Sequence, residues 1–370
     1  MIEKILNERI MILDGPMGTM IQEHSLDEND FRGKSFVDHK DPLKGNNDLL
    51  NITKPDLIKS IHRDYLEAGA DIIETNTFNS TSISLADYGM EKYAYDFNHA
   101  GAKIAKEVKD EFCNRTKKSE IFVAGSIGPT NRTASLSPDV NDPGYRAVSF
   151  DNLVNCYSEQ VLGLIDGGVD ILFVETIFDT LNAKAALFAI DKIKCEKKLD
   201  IPVMVSGTIT DASGRLLSGQ TTEAFWASIS HAKPISVGFN CALGAKDLRS
   251  YIKAISDIAD CFVSAYPNRG LPNEFGEYDE TLKEMVTSIE DYMNSGLVNI
   301  IGGCCGTTEE HISAFSELAK AYPPRSKIAP SGKTRLSGLE PFNISKDSLF
   351  INVGERTNVT GSARFARLIK

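Results

Sequence analysis

Short apolar, β-branched runs alternate with longer stretches of helical periodicity along most of this chain. Eight runs read as strands: Ile10–Asp14, Ala70–Thr77, Ile121–Ser126, Val169–Thr176, Ile201–Thr208, Pro234–Asn240, Cys261–Tyr266 and Leu297–Ile301. They are nearly continuous in hydrophobicity rather than alternating, as strands covered on both faces are. Between them, apolar residues return every three or four positions. Lys54–Ala68 carries Leu57, Ile58, Ile61, Tyr65 and Leu66. Tyr93–Phe112, Ser149–Ile165, Thr180–Ile193, Thr222–Ile229, Ala245–Ile258, Thr281–Met293 and Glu309–Ala321 follow the same rule. Glycines at Ala68–Asp71 and Gly167–Asp170 read as helix C-caps leading into the next strand. Eight strand–helix units predict an α/β fold, the (β/α)8 TIM barrel. A doubly wound open sheet is the alternative; the count of eight and the chemistry found at several strand ends favour the barrel.

Two segments break the rhythm. Residues 22–53 are polar and turn-rich, with His24, Asp27, Glu28, Asp30, Gly33, His39 and Gly45. A long insertion between a barrel strand and its helix predicts a lid or partner-docking loop, with plain surface decoration as the alternative. From Tyr322 onward Pro323-Pro324, Pro330-Ser331-Gly332, Gly338 and Pro341 predict a linker over 322–346. Gly332-Lys333-Thr334 has the end of a phosphate loop but not its upstream glycine, since Lys327 stands there. Ser348–Val353 predicts another strand, followed by Gly354-Glu355-Arg356-Thr357-Asn358 and the start of a helix. One strand and one helical turn cannot bury their own apolar face. The expected organisation is therefore a barrel over 1–321, a linker over 322–346 and the truncated start of a second domain over 347–370.

Composition narrows the function. The chain has 370 residues, is 42% hydrophobic and carries a net charge of −11; its mean hydropathy is −0.18 and its pI about 5.2. That balance gives ample core material and argues against nucleic-acid binding, which wants a basic face. The opening Met-Ile-Glu-Lys-Ile-Leu-Asn-Glu-Arg lacks the apolar centre of a signal peptide. No apolar run is long enough to span a bilayer. A cytoplasmic location with no membrane partner is expected. Seven cysteines without a secretion signal make a disulfide framework the wrong reading.

Three of those cysteines stand apart. Cys241 closes Gly238-Phe239-Asn240-Cys241, and Cys304 and Cys305 lie in Gly302-Gly303-Cys304-Cys305-Gly306. Both groups sit at a strand end among small residues, where a barrel presents its working side chains. Three converging thiolates suit Zn²⁺ and leave it one open position. Cys113, Cys156, Cys195 and Cys261 lie alone in helical or strand patterns and read as small hydrophobes. No His-Glu-x-x-His spacing exists, so the metal site is expected to be sulfur-only. Such a zinc is a poor activator of water but holds a substrate thiol as nucleophilic thiolate. Asp14-Gly15-Pro16-Met17-Gly18-Thr19 follows the first strand: Asp14 can receive an ammonium, and the amides near Gly15, Gly18 and Thr19 a carboxylate. A tight turn with an N-capping Asp is the alternative. Glu175 ends the fourth strand; Glu74 ends the second, where a layer-closing salt bridge is the structural reading. Asn76, Asn240 and Asn268 can contact substrate, orient thiolates or satisfy loop backbone. Gly125-Ser126-Ile127-Gly128-Pro129 is expected to shape the pocket floor.

Asp14–Thr19, Glu74-Thr-Asn-Thr-Phe78, Gly125–Pro129, Val174-Glu-Thr176, Gly238–Cys241 and Gly302–Gly306 together, in this order, resemble the homocysteine S-methyltransferase family. The resemblance implies zinc on Cys241, Cys304 and Cys305, and L-homocysteine with its amine near Asp14 and Glu175 and Asn240 in support. The long insertion and Asn352–Asn358, similar to the first strand of a pterin-binding barrel, point to the cobalamin-dependent methionine synthase branch. That branch implies methylcobalamin as donor on a cobalamin-binding module of the same polypeptide, recharged by 5-methyltetrahydrofolate. Betaine and S-methylmethionine are the alternative donors. A barrel aldolase or lyase would need a Schiff-base lysine or a hard O/N metal site, and no lysine stands at the strand ends. A structural zinc knot or redox sensor is the non-catalytic alternative, though a closed knot wants a fourth ligand.

Overall fold

The computed structural model describes residues 1–210, 213–274, 278–354 and 359–370. All eight expected strands form: β1 (Met11–Ile12), β2 (Ile72–Glu74), β3 (Phe122–Ile127), β4 (Ile171–Ile177), β5 (Val203–Gly207), β6 (Ser236–Gly244), β7 (Phe262–Asn268) and β8 (Ile300–Ile301). They pair in parallel in the order β1-β8-β7-β6-β5-β4-β3-β2. A bridge from Leu13 to Ile72 joins the two ends of that order, and Asp14 N–H donates to the Ile72 carbonyl at 3.0 Å. The sheet is thus a nearly closed TIM-type barrel.

The continuous hydrophobicity of the strands has a direct cause. Alternate residues of each strand face opposite ways. Phe122, Ala124, Ile171 and Phe173 fill the barrel interior, while Val123, Leu172 and Val174 pack outward against the helices. The helices are α1 (Ile2–Glu8), α2 (Met17–Glu23), α3 (Glu28–Arg32), α4 (Leu50–Thr53), α5 (Pro55–Glu67), α6 (Ser82–Leu85), α7 (Ala94–Thr116), α8 (Phe150–Gly167), α9 (Thr180–Lys197), α10 (Thr222–Ile229), α11 (Ala245–Ile258), α12 (Leu282–Asn294), α13 (Glu309–Ala319) and α14 (Ala363–Leu368). No described helix is long and apolar enough to cross a membrane.

Three features depart from the sequence reading. The charged N-terminal segment forms α1, whose Ile2, Ile5 and Leu6 join the inner cluster and plug the floor of the barrel. Residues 22–53 are not a loose lid: Phe31, Phe36, Leu43, Leu49 and Leu50 are buried in the main core. The expected linker follows the barrel surface. Arg325 is only 5% exposed. Beyond it β9 (Arg335–Ser337) and β10 (Pro341–Asn343) form an antiparallel hairpin. Thr221 N–H donates to the Leu339 carbonyl at 3.1 Å, and Ser337 Oγ to the Ala224 carbonyl at 2.8 Å, so the hairpin is tied to the start of α10. Residues 348–354 form no strand, and Leu349 and Phe350 are exposed, because the described residues offer them no ladder partner. Glu355, Arg356, Thr357 and Asn358 of the tail motif lie outside the described residues.

Candidate active site

The C-terminal ends of the strands deliver the expected groups to one place. β6 reaches its end through a register break between Asn240 and Gly244. Cys241 and Ala242 there take φ of 57° and 56°, a left-handed conformation that turns the chain at the cysteine. Asn240 holds that turn. Its Oδ1 accepts from Ser206 Oγ (2.7 Å) and Thr176 N–H (3.2 Å), and its Nδ2 donates to Thr176 Oγ1 (2.8 Å). It is fully buried and stitches the ends of β4, β5 and β6 together. Gly238 is required by proximity, since a Cβ would lie 1.8 Å from the Ser264 carbonyl oxygen.

The second cysteine group follows β8. A Cβ on Gly302 would meet Leu13 Cβ at 2.8 Å, and one on Gly306, whose φ is +81°, would meet the Tyr278 ring at 2.5 Å. Cys304 N–H donates to the Pro267 carbonyl (2.9 Å), and Arg269 N–H to the Cys305 carbonyl (3.0 Å). Gly306 N–H donates to Thr19 Oγ1 at 3.2 Å, which ties the turn to the loop after β1.

The outcome is a sulfur triangle. Cys241 Sγ lies 3.9 Å from Cys305 Sγ, and Cys304 Sγ 4.0 Å from Cys305 Sγ. All three sulfurs fall within 4.8 Å of one another. Zn–S bonds of about 2.3 Å at tetrahedral angles require sulfurs roughly 3.8 Å apart, so the triangle fits the ion. All seven cysteines are free; the other four take no part in the triangle. Hydrogen bonds from Cys241, Cys304 and the Tyr278 hydroxyl stabilise the Cys305 thiolate and bring its pKa down to about 3. The Cys304 thiol is pushed well up by its bonds to the two neighbouring sulfurs and by burial. For Cys241 the bond with Cys304 lowers the value, but the bond with Cys305 and burial prevail and raise it to about 11. The three sulfurs thus favour a thiolate on Cys305 over one on its neighbours, and a divalent ion bound by all three would displace their protons. Asn268 ends β7 between the two residues bonded to Cys304 and Cys305, and its buried Oδ1 has no partner among the described residues.

A carboxyl trio completes the site. Asp14 and Glu175 are buried, as is most of Glu74. Glu175 accepts from Ser126 Oγ at 2.5 Å and from Tyr266 O–H at 3.4 Å. Asp14 Oδ2 accepts from Glu74 N–H at 2.9 Å, and the N-cap position of α2 is Pro16, with no side-chain cap, so Asp14 is not an N-cap. Asp14 Oδ1 and Glu74 Oε1 are buried without a partner among the described residues, and the layer-closing salt bridge that was the structural alternative for Glu74 does not form among them. Burial raises all three acids. For Asp14 the Glu175 charge adds to it, and for Glu74 both neighbouring charges do. Glu175 rises least, because Ser126, Glu74 and Tyr266 stabilise its ionised form. Among the described residues the trio has no cationic partner. Beside it Gly15 leaves room for the Tyr65 ring, where a Cβ would come within 2.7 Å. Gly18 and Thr19 lie half-buried in the first turn of α2, where helix amides are unpaired.

Residues 11–319 match the sequence profile of the homocysteine S-methyltransferase family. The chain belongs to that family. It is accordingly a methyltransferase whose acceptor is the thiol of homocysteine. Among solved structures, the metallated form of the homocysteine methyltransferase MmuM from Escherichia coli is similar with a TM-score of 0.64 at 20% identity, over 84% of this chain and 96% of that one. Its oxidised form gives 0.64 at 20% identity, over 83% and 95%. Its apo form gives 0.60 at 20% identity, over 84% and 96%. These likenesses concern the fold.

The three cysteines, Asp14 and Glu175 were legible as strand-end residues. The positions of Ser126 and Tyr266 around Glu175, and of Tyr278 beside Cys305, were not. They come from neighbouring strands and loops, and only the register brings them in.

Proposed function

We propose that this chain transfers a methyl group to the sulfur of L-homocysteine, giving L-methionine, with zinc on Cys241, Cys304 and Cys305. The observation that carries it is the pairing of a sulfur triangle of zinc dimensions with buried carboxyls that have no counter-cation among the described residues. Zinc, when bound, supplies a positive centre that keeps the substrate sulfur deprotonated, where a free thiol of pKa about 8.5 is mostly protonated at neutral pH. Asp14, Glu74 and Glu175 receive the ammonium group. Ser126 and Tyr266 hydrogen-bond Glu175 and favour its ionised form against burial, and the amides around Gly15, Gly18 and Thr19 receive the substrate carboxylate. Asn240 acts by holding the Cys241 turn. An amino acid gripped at both charged ends presents its thiol toward the cysteines and nothing else.

The proposed donor is methylcobalamin, carried on a cobalamin-binding module of a longer polypeptide and recharged there by 5-methyltetrahydrofolate. The tail sequence from Asn352 to Asn358 supports it, as the opening of a pterin-binding domain over 347–370. A cytoplasmic setting suits cysteines that must stay reduced.

X-ray absorption at the zinc edge tests the site: three sulfur neighbours are expected without homocysteine and four with it. An unchanged first shell would favour a structural metal. Turnover with methylcobalamin, betaine and S-methylmethionine on one preparation tests the donor, and product from methylcobalamin alone is expected. Turnover with either other donor alone would sink the cobalamin assignment.

A further inference from the structure

The opposite mouth of the barrel holds a second site. A cleft of about 900 Å³ opens between the floor and the segment that runs from Lys327 to Arg335. Val203 and Phe262, the first residues of β5 and β7, line it, so it lies at the far end of the strands from the sulfur triangle. Lys194, Lys233, Lys327, Lys333 and Arg335 surround it, against three carboxylates, Glu3, Asp200 and Asp260. This cationic excess stands in a chain of net charge −11. Among the described residues none of the five forms a salt bridge. Lys194 Nζ donates to the Ile201 carbonyl (2.7 Å), and Arg335 to Ser331 Oγ (2.7 Å). Lys327 Nζ sits 4.3 Å from the centre of the Phe262 ring. Each of these contacts leaves donors to spare.

Trp226 supplies an independent observation. It lines the same cleft, is 2% exposed, and its indole N–H has no acceptor. A buried donor without a partner is costly unless something supplies an acceptor oxygen. Gly332 and Lys333 of the Gly332-Lys333-Thr334 triplet, which fails as a phosphate loop by sequence, form part of the rim, with Gly332 at φ +62°.

We propose that this cleft binds a small polyanion carrying two or more phosphate or carboxylate groups. Five cations, none in a salt bridge among the described residues and set against three carboxylates, leave an excess positive charge spread over 900 Å³ that suits an anion of more than one charge. The charged donors that line the cleft are ammonium and guanidinium groups, complementary to anionic oxygen.

Calorimetric titration of the whole chain with pyrophosphate, and separately with citrate, tests this. Saturable binding that weakens with added KCl is expected, together with a change in fluorescence of Trp226, the sole tryptophan. In the double variant Lys233→Gln/Lys327→Gln affinity should fall at least about tenfold. The circular dichroism spectrum and homocysteine methylation should stay unchanged, since neither lysine touches the sulfur or carboxyl trio. Stronger binding of pyrophosphate assigns a phosphate ligand, and stronger binding of citrate a carboxylate one. No saturable heat with either anion, or equal affinity in the folded double variant, overturns the proposal.

Discussion

Cys305 lies within 3.9 and 4.0 Å of the two other sulfurs and contacts both, so its removal opens the triangle. In Cys305→Ala the remaining pair cannot saturate a tetrahedral ion. Zinc measured by atomic absorption after dialysis against a chelator should drop from one per chain to near zero, with the far-UV spectrum intact. Full zinc retention would disprove the ligand set. Glu175 acts on the other half of the site. Glu175→Gln keeps the shape and loses the charge that an ammonium pairs with. Homocysteine should bind about thirtyfold more weakly by calorimetry, equivalent to roughly 2 kcal/mol, and zinc content should not change. A variant that lost zinc as well would mean that Glu175 supports the metal instead. Both residues stand out in the sequence because each lies at or just past the C-terminal part of a strand, and that position fixes which mouth of the barrel a side chain serves. Glu74 was readable too, but its role was not. Its nearest charges are two other acids, and their closeness depends on how β1, β2 and β4 are staggered around the barrel.

At the scale of elements, the strands and most helices follow from local periodicity, and β6 and α1 show why the rest did not. Thr222–Ile229 and Ala245–Ile258 form over their expected limits, because glycine, threonine and apolar spacing mark both ends. β6 instead runs on past Asn240, since a left-handed turn at Cys241 and Ala242 has no signature in residues that are neither Gly nor Asn. α1 was hidden by its charges, although Ile2, Ile5 and Leu6 already carry the helical spacing that faces the barrel floor. Arg325 was hidden in a segment that reads as a linker. Its guanidinium donates to the carbonyls of Ser256 (2.6 Å), Ala259 (2.6 Å) and Cys261 (2.9 Å), closing the C-terminal end of α11. A cation there satisfies carbonyls that the helix leaves open and meets the negative end of its dipole. Arg325→Ala strands those acceptors and should cost about 3 kcal/mol, read as a lower urea midpoint at unchanged slope. Arg325→Lys, which keeps the charge but not the fork, should lie between the two. A midpoint within error of the parent would show that the tail contributes nothing to barrel stability.

For the molecule as a whole, stability should depend on pH in a direction that Asp48 helps to set. Asp48 is 2% exposed and joins the insertion before α4 to the loop after β2, accepting from Asn79 N–H and Ser80 Oγ at 2.7 Å each. Burial raises its pKa from 3.8 to about 6, and the two hydrogen bonds offset only part of that rise. In the unfolded chain the carboxyl ionises at its usual value. Between the two values the folded protein therefore holds a proton that the unfolded chain has released, and stability falls as pH rises through that window. The contribution is fully present below 3.8 and is gone once pH passes about 6. Asn in place of Asp keeps an acceptor oxygen for both donors and never ionises. The gain in unfolding free energy of Asp48→Asn over the parent should widen by about 2 kcal/mol between pH 4.5 and 7. Urea unfolding of both proteins at the two pH values measures it. The buried acids at the active site push the same way, but substrate ammonium and bound metal alter them, whereas Asp48 answers to the fold alone. A difference that stays flat across that range, or narrows, would mean that Asp48 is ionised in the folded protein throughout and that its two donors outweigh its burial.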